Sequence, residues 1–135
     1  MAGPAGAGER EEENMTYVDG FVIPIPRKNL AAYKKMAAGG AKAWKKHGAL
    51  EYFECVGDDL FPKTPGMKIA QFPTLAKAKA GETVVFAFIV YKSKAHRNAV
   101  NKRVMKEMSA SEPPPMMPFD MKRMAFGGFK TIVQA

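Results

Sequence analysis

The chain has 135 residues, 47% of them apolar and 25% charged, with a formal charge of +8 and a single cysteine. That length suits one domain able to bury a real core, and the composition is that of an ordinary globular protein. Lone Cys55 excludes an intramolecular disulfide and a multi-cysteine zinc site, and the longest apolar run, Val84 to Tyr91, falls far short of the roughly 20 residues that cross a bilayer as a helix.

The charge is unevenly spread. Residues 1–14 (MAGPAGAGEREEEN) carry four Glu and one Arg, a net of −3, which leaves +11 on residues 15–135. This segment has no periodic apolar residues, and the sequence predicts a disordered N-terminal extension before a single domain spanning 15–135. It also lacks a basic patch followed by an apolar stretch, so no secretory signal is expected and a cytoplasmic location follows by default. A basic body can attract nucleic acid, but lysines on solvated helix faces explain the same charge.

Thr16 to Ile25 (TYVDGFVIPI) reads as the first strand, with Tyr17, Asp19, Phe21, Ile23 and Ile25 on one face. Pro24 and Pro26 lack N–H donors and are expected to end its pairing. Arg27 to His47 follows as a helix with the stripe Leu30, Tyr33, Ala37, Ala41 and Trp44, opposite Lys34, Lys35, Lys42, Lys45 and Lys46. Gly48 suits the left-handed cap, and Gly39 and Gly40 suit a bend or a close approach to the sheet. Ala49 to Gly57 is a second strand, polar enough at Glu51 and Glu54 to lie at an edge. Asp58 to Gly81 is a long, proline-broken connection with a short helical piece at Pro73 to Lys79. Such connections usually cover a site or an interface.

Glu82 to Tyr91 (ETVVFAFIVY) organises the rest. Val84, Phe86, Phe88 and Val90 face one way and Val85, Ala87, Ile89 and Tyr91 the other, so this is a central strand needing cover on both faces. Ser93 caps a second helix to about Met108, with His96, Val100, Val104 and Met108 as its inner stripe. Ser109 to Asp120 is an extended, polyproline-like loop. Met121 to Val133 is the last strand, where Gly127 and Gly128 mark a bulge or a close backbone approach.

The predicted class is therefore α+β: a ferredoxin-like β-α-β-β-α-β domain with a four-stranded antiparallel sheet. Two helices cover one face, and a second copy of the chain is the economical cover for the other. Phe86 and Phe88 are expected to face that dimer core. The Lys/Arg-Gly signature of an RNA-recognition domain does not precede them, so nucleic acid is not the favoured partner.

The blocks MTYVDGF (15–21), HGALEYFECVGDD (47–59), GETVVFAFIVYKSK (81–94) and MPFDMKRMAFGGF (117–129) resemble the bacterial YbaA-like family, domain of unknown function 1428. The resemblance covers Met15 to about Val133 and implies a dimeric α+β barrel. No reaction transfers with it. Residues 1–14 lie outside it, and the prolines at 113–115 depart from it.

Among side chains, Asp19 stands in an apolar strand and requires a partner when buried. An antiparallel last strand is expected to bring Lys122 and Arg123 to it. Asp19, Glu54 and Arg123 are the catalytic candidates; Tyr17, Asp19, Lys122 and Arg123 are the ligand-binding candidates. Glu54, Asp58 and Asp59 cluster without a ligand-spaced histidine, so no metal site is predicted. His47 and His96 are expected in capping or packing roles, and Cys55 as a buried inert thiol. Glycine-rich phosphate loops, serine elbows and zinc patterns are absent, so no cofactor is predicted. The expected function is a homodimeric small-molecule-binding protein or cofactor-independent enzyme, with a cavity between sheet and loops. The alternatives are RNA binding through the basic surface and an interaction module without a small ligand.

Overall fold

The structure, a computed structural model, describes residues 15–112 and 116–135. The N-terminal extension and the triple proline lie outside the described residues. Four strands, β1 (Tyr17–Pro26), β2 (Glu51–Val56), β3 (Glu82–Tyr91) and β4 (Ala125–Lys130), form one antiparallel sheet in the order β2-β3-β1-β4. Helices α1 (Leu30–Lys46) and α3 (Lys94–Ser109) follow β1 and β3; a short helix, α2 (Phe72–Leu75), interrupts the connection from β2 to β3. The fold is α+β as predicted, and apart from α2 and the 3-10 turns Arg27–Asn29 and Met121–Arg123 the succession of elements is the expected β-α-β-β-α-β.

The pairing assigns every strand residue to a face. Tyr17, Asp19, Phe21, Ile23 and Ile25 of β1 stand opposite Tyr91, Ile89, Ala87, Val85 and Thr83 of β3, and all share the face that meets α1 and α3. One part of the core joins Ile23, Ile25, Val85 and Ala87 to Tyr33 and Ala37 of α1 and to Phe119. The other joins Ile89 and Tyr91 to Ala43, Ala49, Val100 and Val104. Burying these side chains contributes about 1.5–3 kcal/mol for each large one.

The other face carries Val18, Gly20, Val22 and Pro24, Val84, Phe86, Phe88 and Val90, Phe53 and Cys55, and Phe129. Among the described residues, only one end of it is covered. Phe72 of α2 meets Phe86 edge-on, ring centroids 6.2 Å apart, and Val84 and Pro24 nearby are buried. Phe86 itself remains 43% exposed, and farther along Phe53 and Phe129 are 47% and 63% exposed. The long 58–81 connection thus covers part of an apolar sheet face.

Several expectations need correction. β1 continues through Pro24 to Pro26, because β4 flanks it only as far as Val22 and the prolines have β3 alone as neighbour. The last strand is shorter than predicted. Asp120 accepts from the Lys122 N–H at 3.0 Å and caps a 3-10 turn over Met121–Arg123, so β4 begins only at Ala125 and ends at Lys130. No bulge occurs at the glycines: Gly127 and Gly128 pair in register with Gly20 and Asp19. Met108 is exposed rather than part of the inner stripe, and Cys55 is exposed on the edge strand β2. The caps are as read: the Ser93 hydroxyl accepts from the His96 N–H at 3.1 Å, and Gly48 has φ +115°.

Candidate functional site

Three polar arrangements use the side chains singled out in the sequence, and the fold separates them. In the first, Tyr52 and Glu54, two apart on β2, project to the helix side of the sheet, opposite Ile89 and Ala87. The small side chain of Ala87 leaves room beside the carboxylate. Tyr33 reaches down from α1 and donates its hydroxyl to Glu54 Oε1 at 2.6 Å; Tyr52 donates to Oε2, also at 2.6 Å. The carboxylate thus accepts one phenolic hydrogen on each oxygen. Burial pushes both phenols far above their ordinary range, and the hydrogen bonds to Glu54 push them further. Both hydroxyls therefore stay protonated and act as donors.

Gly40 makes this arrangement possible. A Cβ on residue 40 would lie 3.0 Å from the Tyr52 hydroxyl, while Trp44, one turn on, packs its ring 6.1 Å from that of Tyr52. The same Cβ at Gly39 would meet nothing. Of the two helix glycines, Gly40 thus serves close approach of helix to sheet. Above the trio opens a cleft of about 460 Å³ between α1 and β2, walled by Leu30, Ala37, Ala41, Val56 and Val85, with Lys34 the one cation of its lining.

The second arrangement is internal. Asp19, only 1% exposed, accepts from Arg97 Nε at 2.9 and 3.2 Å. The guanidinium stacks over the Tyr17 ring, 5.2 Å from its centroid. A Cβ on Gly128 would collide with both Arg97 and the Tyr17 hydroxyl, which explains glycine opposite Asp19. Next to this pair, Asn101 Oδ1 accepts from Tyr91 Oη at 3.1 Å and Trp44 Nε1 at 3.0 Å. Burial, and then the negative Asp19, push the Tyr91 phenol up. Asp19 does find a cation, but it is Arg97 of α3 and not Lys122 or Arg123. Those two precede β4 and lie beyond Val22, the last β1 residue that β4 pairs, whereas Asp19 stands opposite Gly128.

The third arrangement holds Arg123. Its guanidinium forks onto Glu82, Nη1 to Oε2 and Nη2 to Oε1, both at 2.7 Å, and Nη2 also donates to the Lys77 carbonyl at 2.9 Å. The Arg123 hydrogen bonds hold the Glu82 carboxyl down at about 2. Lys122 and Arg123 line a cleft of about 480 Å³ on the open face, between the sheet at Val22 and Ala125 and the connection at Leu75–Lys77. This is the sheet-and-loop position in which a cavity was expected. Its one fork-shaped donor is already engaged by Glu82.

Of the predicted site residues, then, Tyr17 and Asp19 come together, Lys122 and Arg123 come together elsewhere, and Glu54 stands apart with partners the sequence reading missed. Tyr33 was visible on the inner helical stripe, and Tyr52 shares strand parity with Glu54. Arg97 and Asn101 were also readable, since they interleave with Val100 and Val104 at spacings of three and four. Asp58 and Asp59 are exposed and stay outside the Glu54 cluster, and no group of His, Cys, Asp or Glu fit to hold a metal occurs among the described residues. His96 accepts from the Lys92 N–H at 2.9 Å, and burial lowers its pKa; His47 ends α1, its carbonyl accepting from Arg103 at 2.9 Å. No described helix is long and apolar enough to cross a membrane.

Comparison with known proteins places these residues in a wider set. A family model described as "Protein of unknown function (DUF1428)" matches residues 16–121. The uncharacterized protein YbaA of Escherichia coli (strain K12) is 42% identical over 119 residues, covering 88% of this chain and 98% of that protein. The protein of the same name from Shigella flexneri gives the same figures: 42% over 119 residues, 88% and 98%. Among solved structures, the de novo designed protein Foldit4 aligns with a TM-score of 0.40 at 12% identity over 88% of this chain and 99% of that one, a likeness too slight to bear on the fold.

Proposed function

The chain belongs to the DUF1428 family, and we propose that it is a small-molecule-binding protein, built as a homodimer, whose ligand sits in the cleft between α1 and β2. The observation that carries this reading is Glu54: a carboxylate, oriented by two tyrosine hydroxyls, at a largely apolar cleft open to solvent. Concave apolar walls with a few convergent polar groups are the usual make-up of a ligand site. A purely structural carboxylate gains nothing from an open cleft over it. Asp19, by comparison, lines neither this cleft nor the sheet-and-loop cleft and is closed off by Arg97.

The sheet-and-loop cleft is the weaker candidate, because the Arg123 donors are already committed to Glu82. RNA binding is not favoured by the open sheet face. Its strand residues include the aromatics Phe53, Phe86, Phe88 and Phe129, but the charges among them are the acids Glu51 and Glu82, and base-stacking platforms combine aromatics with cations.

A fragment screen by two-dimensional amide NMR tests the proposal. Hits are expected to cluster on Tyr33, Tyr52, Glu54 and Val56. Hits confined to the neighbourhood of Lys122 and Arg123, or a screen without hits in the α1–β2 cleft, would overturn it.

A further inference from the structure

We propose that the ligand of the α1–β2 cleft is a small organic ammonium ion with a compact aliphatic body. This inference rests on that cleft being the binding site and assigns the chemical class it takes.

The hydrogen-bond inventory of the cleft is one-sided. A carboxylate offers about four acceptor positions, and Tyr33 and Tyr52 occupy one on each oxygen of Glu54. Both phenolic protons are thereby used, so neither tyrosine has a hydrogen left to offer a ligand. What remains is acceptor capacity and a negative charge. An incoming carboxylate or phosphate would meet that charge and no free donor apart from Lys34 in the lining. A neutral hydroxyl could donate one bond, but without the charge assistance that roughly doubles the strength of a hydrogen bond. An ammonium group supplies several donors and the compensating charge together.

The rest of the lining decides the body of the ligand. Leu30, Ala37, Ala41, Val56 and Val85 present aliphatic surface and no further acceptor side chain, which suits a short hydrocarbon portion packed beside the charged end. The two tyrosine rings flank the carboxylate, and a cation near aromatic rings gains additional electrostatic attraction. Lys34 bears on selectivity: a ligand with a second cationic group is disfavoured there, so the far end is neutral or anionic. Lys34 makes no ion pair with Glu54, which leaves the carboxylate available.

The test is an amide NMR titration of the full chain with n-butylammonium, using n-butanol and butyrate as neutral and anionic probes of similar shape. Butylammonium is expected to give saturable shifts at Tyr33, Tyr52, Glu54 and Val56 in the millimolar range open to so small a ligand. Butanol should bind about tenfold more weakly or worse, and butyrate should leave these residues unmoved. Glu54→Gln keeps the size and an acceptor oxygen but removes the charge, and should weaken butylammonium by about tenfold or more. Ala41→Leu fills the cleft and should also abolish the shifts; it tests the location, while the butanol and butyrate comparison still tests the class if Glu54→Gln melts early. Equal binding of butanol, preference for butyrate, or unchanged binding to Glu54→Gln overturns the ammonium assignment, and unchanged binding to Ala41→Leu overturns the cleft as its site. In the first two outcomes the cleft survives as a site; if all three probes leave it unmoved while other fragments bind there, the class alone fails. If nothing binds there, both readings fall together.

Discussion

Asp19 shows how far a single residue can be argued from burial. Its carboxylate is 1% exposed and depends on Arg97, whose side chain is 18% exposed. Removing the cation leaves a buried charge without compensation, which costs about 3–5 kcal/mol. Removing the charge from the acid leaves Arg97 with a neutral acceptor, with Asn98 at 2.9 Å and with access to water, so the cost falls to about 1–2 kcal/mol. Arg97→Ala is therefore expected to be clearly more destabilising than Asp19→Asn in urea unfolding; the reverse order would show that the pair is not what holds the acid. Glu82 gives a prediction in pH. Hydrogen bonds from Arg123 hold its folded carboxyl at about 2, below an ordinary 4.5. Above pH 4.5 both folded and unfolded states are ionised and the full contribution is present; as pH falls from there toward 2, the unfolded chain takes up the proton first and stability is lost. Acid titration of the melting temperature should show this decline, and Glu82→Gln should flatten it. The need of Asp19 for a cation was legible in its apolar strand. Which cation was not, because that depends on the register of β4, which sets Gly128 and not Lys122 or Arg123 opposite Asp19.

At the scale of elements, the most informative departure is the turn after α2. The sequence placed a helical piece at Pro73 to Lys79, but the helix is Phe72–Leu75 and the chain then reverses at Lys77, the one non-glycine residue with positive φ (55°) among the described residues. The Lys77 N–H bonds to the Thr74 carbonyl at 3.1 Å and the Ala78 N–H to the Pro73 carbonyl at 2.8 Å, the paired bonds of a Schellman ending. Glycine normally fills that position, because a Cβ there costs about 1–2 kcal/mol. Arg123 helps hold the turn through its bond to the Lys77 carbonyl. Lys77→Gly should accordingly raise stability by about 1 kcal/mol, partly offset by the looser unfolded chain. A loss of stability in thermal unfolding would mean that the Lys77 side chain makes a larger contribution than its backbone strain. Strand β3 was legible to the residue, since eight apolar residues between turn signals leave little freedom. The limits of β1 and β4 were not, because they depend on which neighbour each strand has at each end, and local pattern does not contain that.

For the whole molecule the open sheet face poses the remaining question of cover, and a second copy of the chain is the partner we propose for it. The face is about four strands wide and up to ten residues long, roughly 20 Å by 30 Å, an area close to the ~800 Å² per partner of a standard interface once the adjoining connection is included. Its strand residues hold two charges, Glu51 and the Arg123-paired Glu82, while residues 15–135 carry a net of +11. Apposing two such faces buries Phe53, Phe86 and Phe88 and leaves Lys34, Lys35, Lys42, Lys45 and Lys46 of α1 on the outside, where like charges stay apart. The α1–β2 cleft opens on the helix side, so dimerisation leaves it accessible. Phe53 and Phe88 stack across β2 and β3 with centroids 5.0 Å apart and belong to this apolar face. Sedimentation velocity at micromolar concentration should therefore find a dimer, and Phe88→Asp should return a folded monomer, because an unpaired carboxylate at such an interface costs several kcal/mol. The circular dichroism of that variant should match the parent. A parent chain that sediments as a monomer, or a Phe88→Asp variant that remains dimeric, would assign the open face of β3 to some other cover.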